Sequence, residues 1–141
     1  MYFLEDGVER NNQVTHNLGI IARAVNGAHQ LIPSDSRPSI FWISHPQNTY
    51  DSNHAAGCER FGFWYAMPVH PTGPSYTENV WPRRTALKRF SNNVAHSCVD
   101  GLFIDDGENN GTSLCVVSLL SHLHSARREQ RMDSLQKAES R

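Results

Sequence analysis

Asn48-Thr49-Tyr50-Asp51-Ser52-Asn53 is the stretch on which the fold turns. It echoes Asn12-Gln13-Val14-Thr15-His16-Asn17 before it and Asn92-Asn93-Val94-Ala95-His96-Ser97 after it. Each begins on Asn, carries an apolar or aromatic residue third and ends on a small polar residue. A second echo runs through Tyr2-Phe3-Leu4-Glu5-Asp6-Gly7, Gly62-Phe63-Trp64-Tyr65 and Gly101-Leu102-Phe103-Ile104-Asp105-Asp106-Gly107, the first and last being near-copies. Recurrence at intervals of tens of residues marks a stacked repeat, in which each unit buries its apolar face only against the next. The segments are short, alternate in character and are separated by Gly, Pro, Asn and Asp, which reads as strands joined by turns. Asn suits the corners of such a stack, because it tolerates left-handed backbone and its side chain reaches the main chain of the next rung. The expected fold is all-β, a right-handed parallel β-helix forming a partial solenoid.

The Asn-led segments start at 12, 48 and 92, intervals too unequal for a bare repeat. Two insertions account for the irregularity: Asn26 to Ser39, with Pro33 and Pro38, and Met67 to Lys88, with Pro68, Pro71, Pro74 and Pro82. Both are expected as long Pro-rich loops on one face, where function would sit. Residues 1–113 are assigned to the coil. Residues 114–141 contain neither Gly nor Pro and form a helix-prone, helical or irregular tail. It is either a cap over the open coil or not native to the fold.

A chain of 141 residues is one domain at most. With a net charge of −1, its charge signals no nucleic-acid or membrane partner. The longest apolar run, Leu114 to Leu120, is broken by Ser118 and falls short of the roughly 20 residues a membrane helix needs. Met1 to Gly7 lacks the basic and apolar regions of a signal peptide, so neither a secretion signal nor a transmembrane helix is expected in this chain. Cys58, Cys98 and Cys115 include no Cys-x-x-Cys pair, which argues against a zinc site and leaves their pairing open.

Several residues are candidates for chemistry. His16 and His96 fall at the same repeat position in this alignment, with His54 two residues beyond the equivalent place. Aligned histidines can bind a metal or polarise a substrate oxygen, but a polar stack at the coil edge is the simpler reading, and no metal site is assigned. Glu5, Asp6, Asp105 and Asp106 repeat at strand ends. A glycosidase needs two carboxyls about 5 to 10 Å apart, and rungs stacked at about 4.8 Å can supply that spacing. Capping a turn before Gly is the commoner use. The catalytic candidates are therefore Asp6, Asp105, Asp106, His16 and His96, none of them assigned. Asp105 to Gly111 has the oxygen-rich composition of a calcium loop without EF-hand spacing, so Ca2+ is the single cofactor considered. Asn110-Gly111-Thr112 is a glycosylation acceptor pattern. Arg83, Arg84, Lys88 and Arg89 place four cations in seven residues beside Trp81 and Phe90. Arg pairs with carboxylates and an aromatic ring stacks on a sugar face, which suits an anionic polysaccharide, although a solvated loop has the same composition. Trp42, Phe63, Trp64 and Tyr65 are expected to fill the coil interior.

Phe3-Leu4-Glu5-Asp6-Gly7, Phe41-Trp42-Ile43-Ser44-His45-Pro46-Gln47-Asn48-Thr49, Asn53-His54-Ala55-Ala56-Gly57, Phe61-Gly62-Phe63-Trp64-Tyr65, His70-Pro71-Thr72-Gly73-Pro74-Ser75 and Asn92 to Ser97 also carry a family resemblance. Over about residues 2 to 107 the chain resembles the parallel β-helix region shared by fibrocystin-L and fibrocystin, the cell-migration-inducing hyaluronan-binding protein and the transmembrane hyaluronidase. The Phe-Gly-Phe-Trp-Tyr and His-Pro-x-Gly-Pro-Ser strings look closer to the fibrocystin side. The resemblance implies an extracellular or cell-surface parent, with hyaluronan binding or depolymerisation in some members and a G8 domain beside the β-helix. No segment here matches a G8 domain, so the chain reads as a fragment whose partners are the rest of the parent and an anionic polysaccharide such as hyaluronan. The expected function is a non-catalytic extracellular scaffold or glycan-binding segment. The alternative is a fragment of a hyaluronidase-like glycoside hydrolase.

Overall fold

The short strands pair in parallel with their own counterparts one turn of chain later, and this winds the chain into a coil. The computed structural model describes residues 1–105 except Asn26 and Ile32. Its strands are β1 (Tyr2–Phe3), β2 (Gln13–Thr15), β3 (Leu18–Ala22), β4 (Ser39–Ile43), β5 (Thr49–Asp51), β6 (His54–Ala66), β7 (Arg89–Ser91) and β8 (Val94–Asp105). Every pairing among them is parallel. The long strands β6 and β8 each serve two sides of the coil, with a register shift between Cys58 and Phe61.

Three stacks result. In the first, Tyr2, Phe41, Phe63 and Leu102 lie in register, as do Phe3, Trp42, Trp64 and Phe103. The second aligns Val14, Tyr50 and Phe90. The third aligns Gly19, Ala55 and Ala95. The near-copies around Phe3 and Phe103 are therefore true equivalents, three rungs apart.

Neighbouring residues on a strand face opposite ways, so each stack has an inner and an outer ladder. Phe41, Ile43, Phe63 and Tyr65 belong to the buried core with Tyr50. Phe41 stacks on Tyr2 at 4.7 Å and on Phe63 at 4.6 Å, and edge-on against Tyr50. Each such ring contributes about 1.5–3 kcal/mol by leaving water. Of the four aromatics expected inside, Phe63 and Tyr65 are there; Trp42 and Trp64 occupy the alternate positions, on the outer ladder. There the two indoles lie 4.2 Å apart and Arg37 covers Trp64 at 5.3 Å. Where the third stack faces the core, only small side chains fit. A Cβ on Gly62 would meet the Gly101 carbonyl at 2.7 Å and Ala95 at 2.8 Å, and one on Gly19 would overlap Ile40.

Register also explains the unequal repeat. Phe41 and Phe63 are 22 residues apart, whereas 39 separate Tyr2 from Phe41 and Phe63 from Leu102. The excess lies chiefly at two corners, in residues 23–38 and 67–88. The loops therefore leave from different corners, on either side of the first stack. The step from the second stack to the third never changes: five residues take Val14 to Gly19, Tyr50 to Ala55 and Phe90 to Ala95. Asparagines hold that corner. Asn53 Oδ1 accepts from the Asn17 main-chain N–H (3.1 Å) and Nδ2 (3.0 Å), and Asn93 Oδ1 accepts in the same way from Asn53. Asn53 Nδ2 also donates to the Val14 carbonyl at 2.8 Å. A second ladder joins Asn12 to Asn48.

Two left-handed positions recur in each rung: His16, Ser52 and Asn92 (φ 54° to 56°), and Ile21, Gly57 and Ser97 (φ 57° to 70°). His16 thus shares its place with Ser52 and Asn92, not with His96. His54 pairs with Leu18 and Val94, and His96 with Ala56. The three histidines form no column. Cys58 and Cys98, in register on adjacent rungs with Cα atoms 4.6 Å apart, are joined by a disulfide.

Candidate functional site

The insertion at residues 67–88 leaves the third rung and reaches back to the first. Two short 3-10 turns, Gly73–Ser75 and Pro82–Arg84, each begin beside a proline whose fixed φ pre-sets them. The loop docks on the 5–12 segment. The Thr72 N–H donates to the Asp6 carbonyl (2.9 Å) and Ser75 Oγ donates to Asp6 Oδ2 (2.6 Å). Gly7, at φ 87°, leaves room for Pro68 and Pro82; a Cβ there would sit 2.9 Å from Pro68. At the far end the Lys88 N–H donates to the Pro46 carbonyl and Lys88 Nζ to Asn11 Oδ1 (3.0 Å).

Within this strap the expected cations divide. Arg83 is half-buried and its Nε donates to the Met67 carbonyl at 2.7 Å, closing the loop base. Arg84 is exposed, and its guanidinium sits 4.1 Å from the centre of the Trp81 ring, which also meets His70 at 3.8 Å. The His70 Nδ1–H donates to the Val80 carbonyl. Lys88 and Arg89 are exposed at the second stack, where Arg89 pairs with Asp51 (Nη2 to Oδ2, 3.3 Å) and bonds Ser91 Oγ through Nε. Asp51 also accepts from Ser91 Oγ (2.7 Å) and Asn92 Nδ2 (3.1 Å). The Ser91 hydrogen bond above all, with Arg89, Asn92 and His16, outweighs desolvation and holds its carboxyl below the usual range. Arg84, Lys88 and Arg89 thus remain solvent-facing, while Trp81 is already engaged by its neighbours.

The candidate acids are not brought together. Asp6 is the anchor for Ser75, and Asp105 lies on the fourth rung, about 14 Å away at about 4.8 Å per strand step. That exceeds the separation two glycosidase carboxyls need. Asp106, the turn to Gly111, Asn110, Cys115 and the tail from residue 114 lie outside the described residues. Among the described residues no group of three or more His, Cys, Asp or Glu is placed to hold a metal, and no helix is long and apolar enough to cross a membrane.

Two residues that sequence reasoning passed over shape the corner beneath the strap. Glu9 accepts the main-chain N–H groups of Glu5, Asp6 and Gly7 at 2.9 to 3.0 Å. Partial burial opposes its charge, but these donors prevail and lower its pKa. Its signal in the sequence is its place just past Gly7, close behind the acidic pair Glu5-Asp6. His45 is 1% exposed, and its Nδ1 accepts from the Gln47 N–H at 3.0 Å. Burial, with the Arg10 charge, lowers its pKa to about 4 against the opposing pull of Glu9, so it is neutral at pH 7. Burial and the charge of Glu9 likewise raise the Tyr50 hydroxyl.

Known proteins share this coil. The family model for the CEMIP β-helix matches residues 1–103. Human fibrocystin-L is 42% identical over 96 residues, covering 68% of this chain and 2% of that protein. The cell surface hyaluronidase CEMIP2 of Homo sapiens is 34% identical over 134 residues, covering 75% of the chain and 9% of the relative. The human cell migration-inducing and hyaluronan-binding protein is 32% identical over 135 residues, with 75% and 10% covered. The chain spans at most about a tenth of the length of these three relatives.

Proposed function

The chain belongs to the CEMIP β-helix family, and from that premise we propose that it is a non-catalytic scaffold segment of an extracellular or cell-surface, fibrocystin-like protein. Its coil is right-handed, the hand that parallel crossover connections nearly always take. Its strap loop presents a surface for an anionic polysaccharide. The observation that carries this reading is the strap itself: anchored through main-chain bonds at Asp6 and Pro46, it keeps Arg84 and Lys88 exposed on a braced backbone, beside Arg89 of β7. Braced cations lose less freedom on meeting a polyanion than cations on a slack loop. The relatives named for hyaluronan make that polymer the first ligand to test.

Hyaluronan pull-down by the full chain is expected to weaken at least tenfold in the Arg84→Ala, Lys88→Ala, Arg89→Ala variant and to fall with added salt. Undiminished capture would remove the loop from the role. The competing reading, a hyaluronan-depolymerising fragment, is favoured by the hyaluronidases among the relatives. The dispersal of Asp6 and Asp105 weighs against it. Sizing labelled hyaluronan after incubation with the whole parent protein separates the two, since shortened polymer would favour the enzyme.

A further inference from the structure

Away from the strap, the other insertion arches beside the first rungs and encloses a cleft of about 230 Å³. Its lining includes Phe3 and Trp42 from the outer ladder, with Val25 and Pro38 from the insertion. Two cations, Arg23 and Arg37, also line it. Arg37 is held over the Trp64 ring, and among the described residues neither guanidinium has a carboxylate partner within salt-bridge distance. The acid in the lining, Asp35, is turned to main chain: its Oδ2 accepts the Leu31 N–H at 2.8 Å. Among the side chains that line the cleft, two guanidiniums against one carboxylate leave one positive charge in excess. Ser39 also lines it, fully buried, and its hydroxyl has no hydrogen-bond partner among the described residues. A buried hydroxyl without a partner costs free energy that an acceptor oxygen would recover.

We infer that this cleft is a second ligand site, for a monoanion built on a single ring, with the ring on Phe3 and Trp42 and the acid group between Arg23 and Arg37. The volume is below that of most ligand pockets, about 300–1,000 Å³, and suits one ring with a short acid arm. The apolar lining favours an aromatic carboxylate, and a uronic acid ring shares the required charge. The site goes beyond the polysaccharide reading and does not depend on it.

Calorimetric titration of the full chain with benzoate, glucuronate, benzyl alcohol and acetate tests the inference. At least one ring acid is expected to bind saturably, and the neutral ring and the ringless acid at least tenfold more weakly; whichever ring acid binds tighter identifies the source. Arg23→Gln should weaken the ring acid at least fivefold, as should Arg37→Gln. Arg60→Gln, at a cation outside both the cleft and the strap, should leave it unchanged. No saturable binding of either ring acid, equal binding of benzyl alcohol, or indifference to Arg23→Gln in a folded variant would overturn the site.

Discussion

Replacing Asn53 by Ala removes the middle of the three-rung ladder. Asn53 is fully buried, and truncation deprives two main-chain groups of its side chain: the Val14 carbonyl and the Asn17 N–H. The amide of Asn17 keeps its bond to the Thr15 carbonyl, and Asn93 keeps the Asn53 N–H, so the loss centres on those two groups. A buried polar group left unpaired costs about 1–3 kcal/mol, which puts the variant about 3 kcal/mol below the parent, a large share of a small domain's stability. Urea unfolding followed by tryptophan fluorescence measures it. Two companions sharpen the result. Asn12→Ala, at an exposed position with a single ladder partner, should cost under about 1 kcal/mol. Asn53→Asp keeps the acceptor for Asn17 but sets a carboxylate against the Val14 carbonyl, so it should be at least as damaging as Ala at pH 7 and recover in acid. If Asn53→Ala unfolded within about 0.5 kcal/mol of the parent, the size of ordinary surface effects, the ladder would not be what holds the corner.

Three further outcomes are expected. The folded-state pKa of His45 is depressed to about 4 from 6.5, so between those values the unfolded chain binds the extra proton and stability falls as pH drops. The full loss is about 3 kcal/mol, and His45→Gln should flatten the urea midpoint over that range. Ile21 is β-branched at φ 59° and 63% exposed, where the next rung has Gly57; Ile21→Gly should relieve strain and raise the melting temperature, by about 1 kcal/mol in stability. Gly62→Ala pushes a methyl into the Gly101 carbonyl and Ala95 and should lower stability by about 1–3 kcal/mol, read from the same urea curves.

The stacked parallel architecture was legible because strand equivalents repeat their chemistry: Phe3-Leu4-Glu5 and Phe103-Ile104-Asp105 are similar since both serve the first stack. The finer register was not. Each of the first two rungs carries two asparagines five residues apart, Asn12 and Asn17, then Asn48 and Asn53. In the third rung Lys88 stands where the first should be, and Asn93 alone remains. Asn92 then looks like the partner of Asn48, although it lies at the left-handed place of Ser52. That slip of four residues is what created an apparent column from His16 and His96. The inward and outward sides of Phe41 to Tyr65 were likewise invisible in a run apolar on both faces, because the outer Trp64 is covered by Arg37 from a distant insertion. The basic cluster at 83 to 89 was legible as composition. Its division into a loop staple, a ring-stacked cation and an ion pair depended on partners at Met67, Trp81 and Asp51 that proximity in sequence does not announce.

The invariant five-residue corner acts as a phase lock. Loops at the other two corners can lengthen freely, since each returns its strand to the same parity. A single residue added between Tyr50 and Ala55 would instead turn the third stack inside out, because side chains alternate with a period of two. Ala55 and Cys58 would swap places with outward-facing neighbours, and the disulfide to Cys98 could no longer close. Deletions and insertions tolerated by the chain should therefore map onto residues 23–38 and 67–88 and avoid the asparagine corner.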